Sequence, residues 1–198
     1  LQEVHSDQHG IAFGNGTGGN SKLLFSNDGG VYYSSNGGTA TASRNKGFNV
    51  TQFYSLGVAP TNAVSGLTGD YFVAGAQDNG SQYFANAAAS NAASTEVQGG
   101  DGAFCMFDQG TDKYYITNYV YNANVNLRFT NGTVRNLNNE PLSSPNGSFI
   151  CPMVLDSNRD MLYSDYTTGT TYRILRYSNI KSGTVTRTQL TNALLTSQ

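Results

Sequence analysis

Acidic residues beside glycines are the first feature of this sequence that could carry chemistry. The stretch FSNDGGVYYSSNGG, residues 25–38, places Asp28 between two short segments rich in aromatic and β-branched residues. Related motifs follow, QDNG at Asp78 and GGDG at Asp101. Asp and Asn before Gly form tight turns, because they bond their own backbone and tolerate left-handed geometry. A displayed carboxylate can also accept a proton or bind a ligand, so both roles stay open.

His5, Asp7 and His9 form a second candidate group. In an extended segment these side chains share a face, because side chains alternate along a strand. One carboxylate and two imidazoles could bind zinc or a similar ion. No Cys or Glu completes the set, so we favour hydrogen bonding by the histidines and predict no metal site and no cofactor. Calcium held by loop aspartates and backbone carbonyls is the alternative.

Four segments of the chain repeat one order of short strands, and these strands must position the motifs. The second strands end at residues 28, 78, 119 and 166, in steps of 50, 41 and 47 residues. A period in the forties with four strands per unit is typical of a β-propeller blade, whereas a β-sandwich would not repeat this order. We predict an all-β fold, a β-propeller with about four four-stranded blades at 9–50, 51–98, 99–140 and 147–190.

Some parts of this pattern are less regular than the rest. The fourth strands are the weakest, and FNVTQ at residues 48–52 is the candidate in the first blade. The alanine-rich stretch at 84–97 has no apolar face and is interpreted as a loop between blades. Both chain ends look cut within a larger protein. We therefore predict a single segment, 1–198, truncated at both ends, of a ring of six to eight blades.

Five of the ten aspartates fall on one side of the predicted blades. The loop that enters the first strand of a blade and the loop that joins its second and third strands open on the same face, called the rim below. The rim aspartates are Asp7, Asp28, Asp78, Asp101 and Asp165. Since this face surrounds the channel of a propeller, the pattern predicts a binding surface there.

The composition excludes several classes of partner. Charged residues make up 12% of the chain, about half the usual share, and the 11 Lys and Arg form no basic cluster. We therefore predict no binding to nucleic acid. No run of about 18 apolar residues occurs, so no membrane insertion is predicted. Few Lys and Glu with many Asn, Thr, Gly and Tyr favour a secreted or cell-surface location.

Two cysteines, Cys105 and Cys151, have no partner at metal-ligand spacing. A disulfide between them is one alternative. Two separate buried thiols are the interpretation that we prefer.

Five ordered motifs give the chain a family resemblance. They are Asp7 to His9, Asn27 to Tyr32 continued by Ser34 to Gly38, Thr51 to Tyr54, Gln77 to Gly80, and Gly99 to Gly102. This series resembles the sialidase-like and xyloglucanase-like β-propellers with Asp-box (BNR) repeats, which include glycoside hydrolase family 74 and sortilin-type domains. It is most similar to exported propeller proteins of Bacteroidota. The Asp-box is degenerate at Ser34 to Thr39, where Asn36 replaces the acid, and the resemblance implies a purely structural turn there.

The resemblance to family 74 implies candidate site residues. An endoglucanase of that kind needs two carboxylates about 5 to 9.5 Å apart, and Asp28 and Asp101 are the candidate pair, followed by Asp7 and Asp78. Since Trp is absent, tyrosines would have to supply the sugar platforms. The candidate ligand-binding residues are Asp7, His9, Asp78, Tyr32, Tyr54, Tyr119, Asp165 and Tyr166.

A sialidase would need three arginines and a tyrosine assisted by a glutamate. No arginine lies in a rim motif, and neither does Glu3, Glu96 or Glu140, so the sequence disfavours sialidase activity.

These observations favour an exported propeller module that binds a glycan or a protein surface through its rim, without catalysis of its own. A glycoside hydrolase resembling the xyloglucanases is the first alternative, and an architectural module of a large surface protein is the second. A binding module predicts an open groove without a catalytic pair. An architectural module predicts rim aspartates bonded to neighbouring backbone.

Overall fold

The computed structural model describes residues 4–14, 22–47, 51–87 and 94–191. The chain forms two compact units, Leu1–Thr51 and Gln52–Gln198. Within the described residues, no helix is long and apolar enough to cross a membrane.

The first unit holds one four-stranded antiparallel sheet, in the order β1-β2-β3-β4. Its strands are β1 (Gln8–Gly14), β2 (Lys22–Asn27), β3 (Gly30–Ser34) and β4 (Ala42–Ser43). The apolar residues Leu23 and Phe25 alternate with exposed neighbours along β2, so the strand buries one face. The fourth strand therefore lies earlier than predicted, because Ala42 and Ser43 already pair with β3, and residues 48–50 of the predicted strand lie outside the described residues.

The second unit holds three further sheets of the same kind. The second sheet contains β5 (Ser55–Val58), β6 (Phe72–Ala76), β7 (Gly80–Phe84) and β8 (Thr95–Gln98), with the short helix α1 (Asn62–Ser65) between β5 and β6. The third contains β9 (Met106–Phe107), β10 (Tyr114–Thr117), β11 (Val125–Phe129) and β12 (Val134–Asn138). The fourth contains β13 (Met153–Asp156), β14 (Met161–Asp165), β15 (Ile174–Ser178) and β16 (Thr186–Leu190).

All four sheets pair consecutive strands in an antiparallel order, which is the arrangement of propeller blades. The predicted fold class, all-β with four four-stranded blades, is confirmed. The size of a complete ring stays a prediction.

Apolar side chains pack between neighbouring sheets of the second unit. Tyr115 of the third sheet stacks on Tyr83 of the second, with ring centroids 4.9 Å apart. Ile116 and Leu127 pack on the other side of the third sheet, against Leu162 and Leu175 of the fourth. The third sheet is therefore covered on both faces, as in a blade with two neighbours.

Close approach between the second and third sheets depends on glycine. A Cβ atom at Gly75 would lie 2.0 Å from the carbonyl oxygen of Ala103, and one at Gly57 would lie 2.6 Å from the backbone of Met106. The segment at residues 102–105 therefore lies directly against the second sheet. Its Gly102 N–H donates to Ala76, and its Cys105 N–H donates to the Ser55 hydroxyl.

The first strands of the third and fourth sheets are short, for two different reasons. The Ala103 carbonyl oxygen and the Cys105 N–H both bond to the Ser55 hydroxyl of the second sheet, so β9 contains only Met106 and Phe107. Pro152 has no N–H to donate, and the regular ladder of β13 begins after it, at Met153. The alanine-rich stretch predicted as a loop ends in β8, and its residues 88–93 lie outside the described residues.

Cys105 and Cys151 are free, buried thiols, in agreement with the preferred prediction. Burial raises the pKa of the Cys105 thiol to about 11 and that of Cys151 to about 12. Since thiolates are the nucleophilic and metal-binding form, both cysteines are packing residues.

Candidate functional site

The predicted histidine group of the first unit separates into two pairs. His9 Nε2 pairs with Asp28 Oδ1, whereas His5 Nδ1 lies 3.9 Å from Asp7 Oδ2. The Asp7 N–H donates to His5 Nδ1 at 3.3 Å. Asp28 therefore has a definite partner from β1, which supports a role in fixing the β2–β3 turn against the preceding strand.

Tyr32 and the turn at Ser34 to Thr39 are built into the sheet of this unit. Tyr32 is half-buried within β3, opposite Phe25 and Ser43. The Ser34 hydroxyl accepts the Gly38 N–H at 2.9 Å, and Asn36 Oδ1 accepts the Ala40 N–H at 2.9 Å. This turn is closed by its own side chains, which is the structural role that the resemblance implied.

In the second unit, the QDNG and GGDG motifs meet. Asp101 Oδ1 accepts the backbone N–H of Asp78 at 3.0 Å, and the Gly80 N–H donates to the carbonyl oxygen of Gly100 at 2.7 Å. Asp78 has a φ of 60°, the left-handed conformation that Asp tolerates in turns. The Asp101 carboxylate thus holds the β6–β7 turn in place.

Two of the predicted tyrosines lie beside this contact between the QDNG and GGDG motifs. The Tyr54 hydroxyl donates to Gln77 Oε1, next to the QDNG turn. Burial raises the pKa of Tyr119, and a hydrogen bond to Asp101 and the charge of Asp78 raise it further. A Cβ atom at Gly100 would lie 2.6 Å from the Tyr119 ring, so the glycine lets that ring lie against the loop.

Asp165, the rim aspartate of the fourth sheet, also accepts hydrogen bonds from neighbouring loops. Its Oδ2 accepts the Ser148 N–H at 2.8 Å and the Ser148 hydroxyl at 2.7 Å, and its Oδ1 accepts the Thr167 N–H at 2.9 Å. Burial alone would raise the pKa of Asp165, but these hydrogen bonds from Thr167 and Ser148 lower it below the usual value. The group is a stable carboxylate rather than an acid poised to give up a proton.

Tyr166, the next residue, lies beside a candidate site that the sequence did not predict. Its hydroxyl donates to Glu140 Oε1 at 2.8 Å. Burial raises the pKa of Tyr166, and the hydrogen bond to Glu140 and its charge add to that effect. Glu140 lies outside the rim motifs of the sequence, but the long connection from β12 to β13 brings it to the β14–β15 loop.

An open groove of about 590 Å³ lies next to this pair, between the β12–β13 connection and the fourth sheet. It is called the Glu140 groove below. Its lining is mostly polar and consists of Asn139, Glu140, Pro141, Ser144, Asn146, Tyr166, Leu175, Arg187 and Gln189. This volume falls within the range of roughly 300–1,000 Å³ that small-molecule sites occupy.

The acidic group of the groove is firmly held. Asn138 Nδ2 and the Tyr166 hydroxyl donate to Glu140 Oε1, and Asn146 Nδ2 donates to Glu140 Oε2 at 2.7 Å. Asn138 is only 2% exposed and also bonds Tyr177 and Arg187. The Glu140 carboxylate is therefore held in one orientation before any ligand arrives.

Comparisons with known proteins give little beyond this geometry. No family model matches the chain, and no curated protein matches it. Among solved structures, the chain matches the crystal structure of an ancestral GH74 enzyme with a TM-score of 0.47 and 15% sequence identity. The match covers 92% of this chain and 25% of that enzyme, so the chain spans about a quarter of the length of that structure.

Proposed function

We propose that the chain is an exported or cell-surface propeller module that binds a glycan at its rim, without catalysis of its own. The observation that carries this proposal is the Glu140 groove, an open and mostly polar cavity of about 590 Å³ formed by two loops and by the last two strands of the fourth sheet. Preformed concave sites with a few convergent polar groups are the usual form of a binding site.

The hydrogen bonds of the rim aspartates disfavour hydrolysis; they are shared with the architectural alternative, and the open groove is what favours binding. Asp101 holds the backbone of Asp78, and Asp165 holds Ser148 and Thr167. A glycosidase needs one carboxyl group with a raised pKa as its acid, and Asp165, whose pKa is lowered, is unsuited to that role. In this proposal the rim aspartates shape the loops, and neighbouring side chains bind the ligand.

We also propose that the four sheets belong to a larger ring. The support is the outer face of the fourth sheet, where Val154 and Ile174 line an apolar groove of about 310 Å³. The equivalent face of the third sheet is buried by the fourth. A terminal repeat normally has a polar outer face, so a further blade is the natural neighbour of this one.

An array of immobilised glycans, read with the labelled chain, tests binding, and chromatography of the same glycans after long incubation tests cleavage. The proposal expects retention on a defined set of glycans with no new products. Cleavage of any glycan would favour the hydrolase, in which Asp28 and Asp101 are the candidate carboxylates. Retention on no glycan would overturn the proposal and favour an architectural module.

A further inference from the structure

We propose that the Glu140 groove is the sugar-binding site and that it selects neutral oligosaccharides, with Arg187 and Gln189 as the residues that determine specificity. This inference rests on the proposed glycan-binding function and adds the place, the residues and the charge class of the ligand.

The groove lies where the gap between two sheets opens at the rim. Arg187 and Gln189 alternate along β16 and therefore share one face, opposite Tyr177 and Leu175 of β15. That face points toward the third sheet, because Tyr177 and Leu175 belong to the core between the two sheets. The segment that follows β12 forms the other wall, so a ligand would contact both the fourth sheet and the β12–β13 connection.

The second wall is fixed by backbone geometry. Gly147 has a φ of 85°, and its N–H donates to the carbonyl oxygen of Thr167 at 2.8 Å. A Cβ atom there would lie 2.7 Å from the Asp165 carbonyl oxygen, so a glycine is required. Asn146 precedes this glycine. The Thr168 hydroxyl donates to its Oδ1 at 2.5 Å and holds its side chain in one orientation.

The charges of the groove favour a neutral ligand. Its lining contains one carboxylate, Glu140, and one guanidinium, Arg187, so the formal charges cancel. An acidic sugar would be attracted by the Arg187 guanidinium but repelled by the Glu140 carboxylate, and the reverse holds for a cation. The groove therefore offers no net attraction to either charged class, whereas a neutral ligand needs none.

The remaining polar groups match sugar hydroxyls. A hydroxyl donates one hydrogen bond and accepts others, and the amides of Asn139 and Gln189 and the hydroxyl of Ser144 offer both functions. Arg187 adds donors in a planar fork, which suits two neighbouring oxygen atoms of one ring. The ring of Tyr166 supplies an apolar surface beside these polar groups.

Isothermal titration with cellohexaose, xylohexaose, mannohexaose and hexagalacturonate tests the proposal on the intact chain. We expect Gln189→Ala and Arg187→Gln each to weaken binding of the preferred neutral hexasaccharide at least tenfold. Arg159→Gln is the matched control, because Arg159 is an exposed arginine in the turn between β13 and β14, away from the groove. Circular dichroism melting identifies any variant that fails to fold. Arg187 bonds the buried Asn138, so if Arg187→Gln fails to fold, Gln189→Ala still tests the groove.

The outcomes separate this inference from the proposed function. If a neutral hexasaccharide binds the groove variants as tightly as the wild type, the groove is not the site, although glycan binding stands. If hexagalacturonate binds more tightly than every neutral sugar, the charge argument is overturned. If none of the four sugars binds but the glycan array retains the chain, the assigned ligand class is wrong. If the array is also empty, the proposed function fails together with the inference.

Discussion

At the scale of single residues, the rim aspartates of the second unit act as acceptors for loop backbone. Asp101 and Asp165 each receive N–H donors from a loop that lies distant in the sequence or across a turn. Such charge-assisted hydrogen bonds are stronger than neutral ones, so a single aspartate can fix the mutual position of two loops. The sequence motifs QDNG and GGDG therefore act together, because the aspartate of the second motif fixes the turn of the first.

Replacement of Asp165 tests this role. We expect Asp165→Ala to lower the free energy of unfolding by about 2 kcal/mol at pH 7, since hydrogen bonds to a charged group are removed. The pKa of Asp165 is lowered in the folded state, so its contribution is full above the unfolded pKa of roughly 3.9 and is lost as the pH falls through the folded value. Urea unfolding of wild type and variant should therefore differ at pH 7 and converge near pH 2. An equal difference at both pH values would contradict the account.

Asp28 in the first unit gives a contrasting case. Because Asn adopts the same turn and the exposed pair with His9 contributes only about 0.2–1 kcal/mol, Asp28→Asn should change the melting temperature by no more than a few degrees. Calorimetry measures the shift, and the glycan array measures the binding. Loss of glycan binding with an unchanged melting temperature would instead make Asp28 a ligand-binding residue.

At the scale of elements, apolar runs bounded by turn residues made the second strands predictable. The sequence places the ends of two second strands at residues 78 and 119, and β6 and β10 end nearby at Ala76 and Thr117. The first strands were less predictable, because nothing local shows that the N–H groups of Gly102 and Cys105 bond to the second sheet. That choice depends on glycines of the second sheet, which leave room for the approaching backbone.

Gly75 tests the close approach of these two sheets. Gly75→Ala should destabilise the fold by about 3 kcal/mol, because its Cβ would lie 2.0 Å from the Ala103 carbonyl oxygen and the strand cannot move without loss of packing. The control is Gly14→Ala in β1, where the added Cβ would meet Lys22 at an ordinary 3.5 Å. Equal melting temperatures for the two variants would show that the sheets adjust freely.

At the scale of the whole molecule, the repeated strand order predicted the four sheets but could not predict which loops meet. Tyr166 was selected from its place after a second strand, whereas its partner Glu140 was set aside. The separation of 26 residues hides this contact, and only the length of the β12–β13 connection hints that it can reach the next loop. Arg187 and Gln189 lie in a fourth strand, the weakest part of the repeat, and carry no local signal of a site.

The outer face of the fourth sheet supplies a prediction at this scale. Val154 is 67% exposed, so Val154→Ser together with Ile174→Ser should change the free energy of unfolding of this chain by about 0.5 kcal/mol or less each. The same pair should reduce the binding of an apolar fluorescent dye. Leu162→Ser, on the opposite face of β14 and 0% exposed, is the control and should cost about 3 kcal/mol or more. A large loss of stability from the first pair would mean that this face is already covered.

The most direct test of the central claim is a titration of the intact chain with the preferred array glycan, followed by chromatography of the titrated sample. The account predicts saturable heat and recovery of the glycan unchanged. Shortened products would contradict it by making the chain a hydrolase. The absence of any saturable heat would contradict it in the other direction, by leaving the rim without the ligand that the Glu140 groove was inferred to hold.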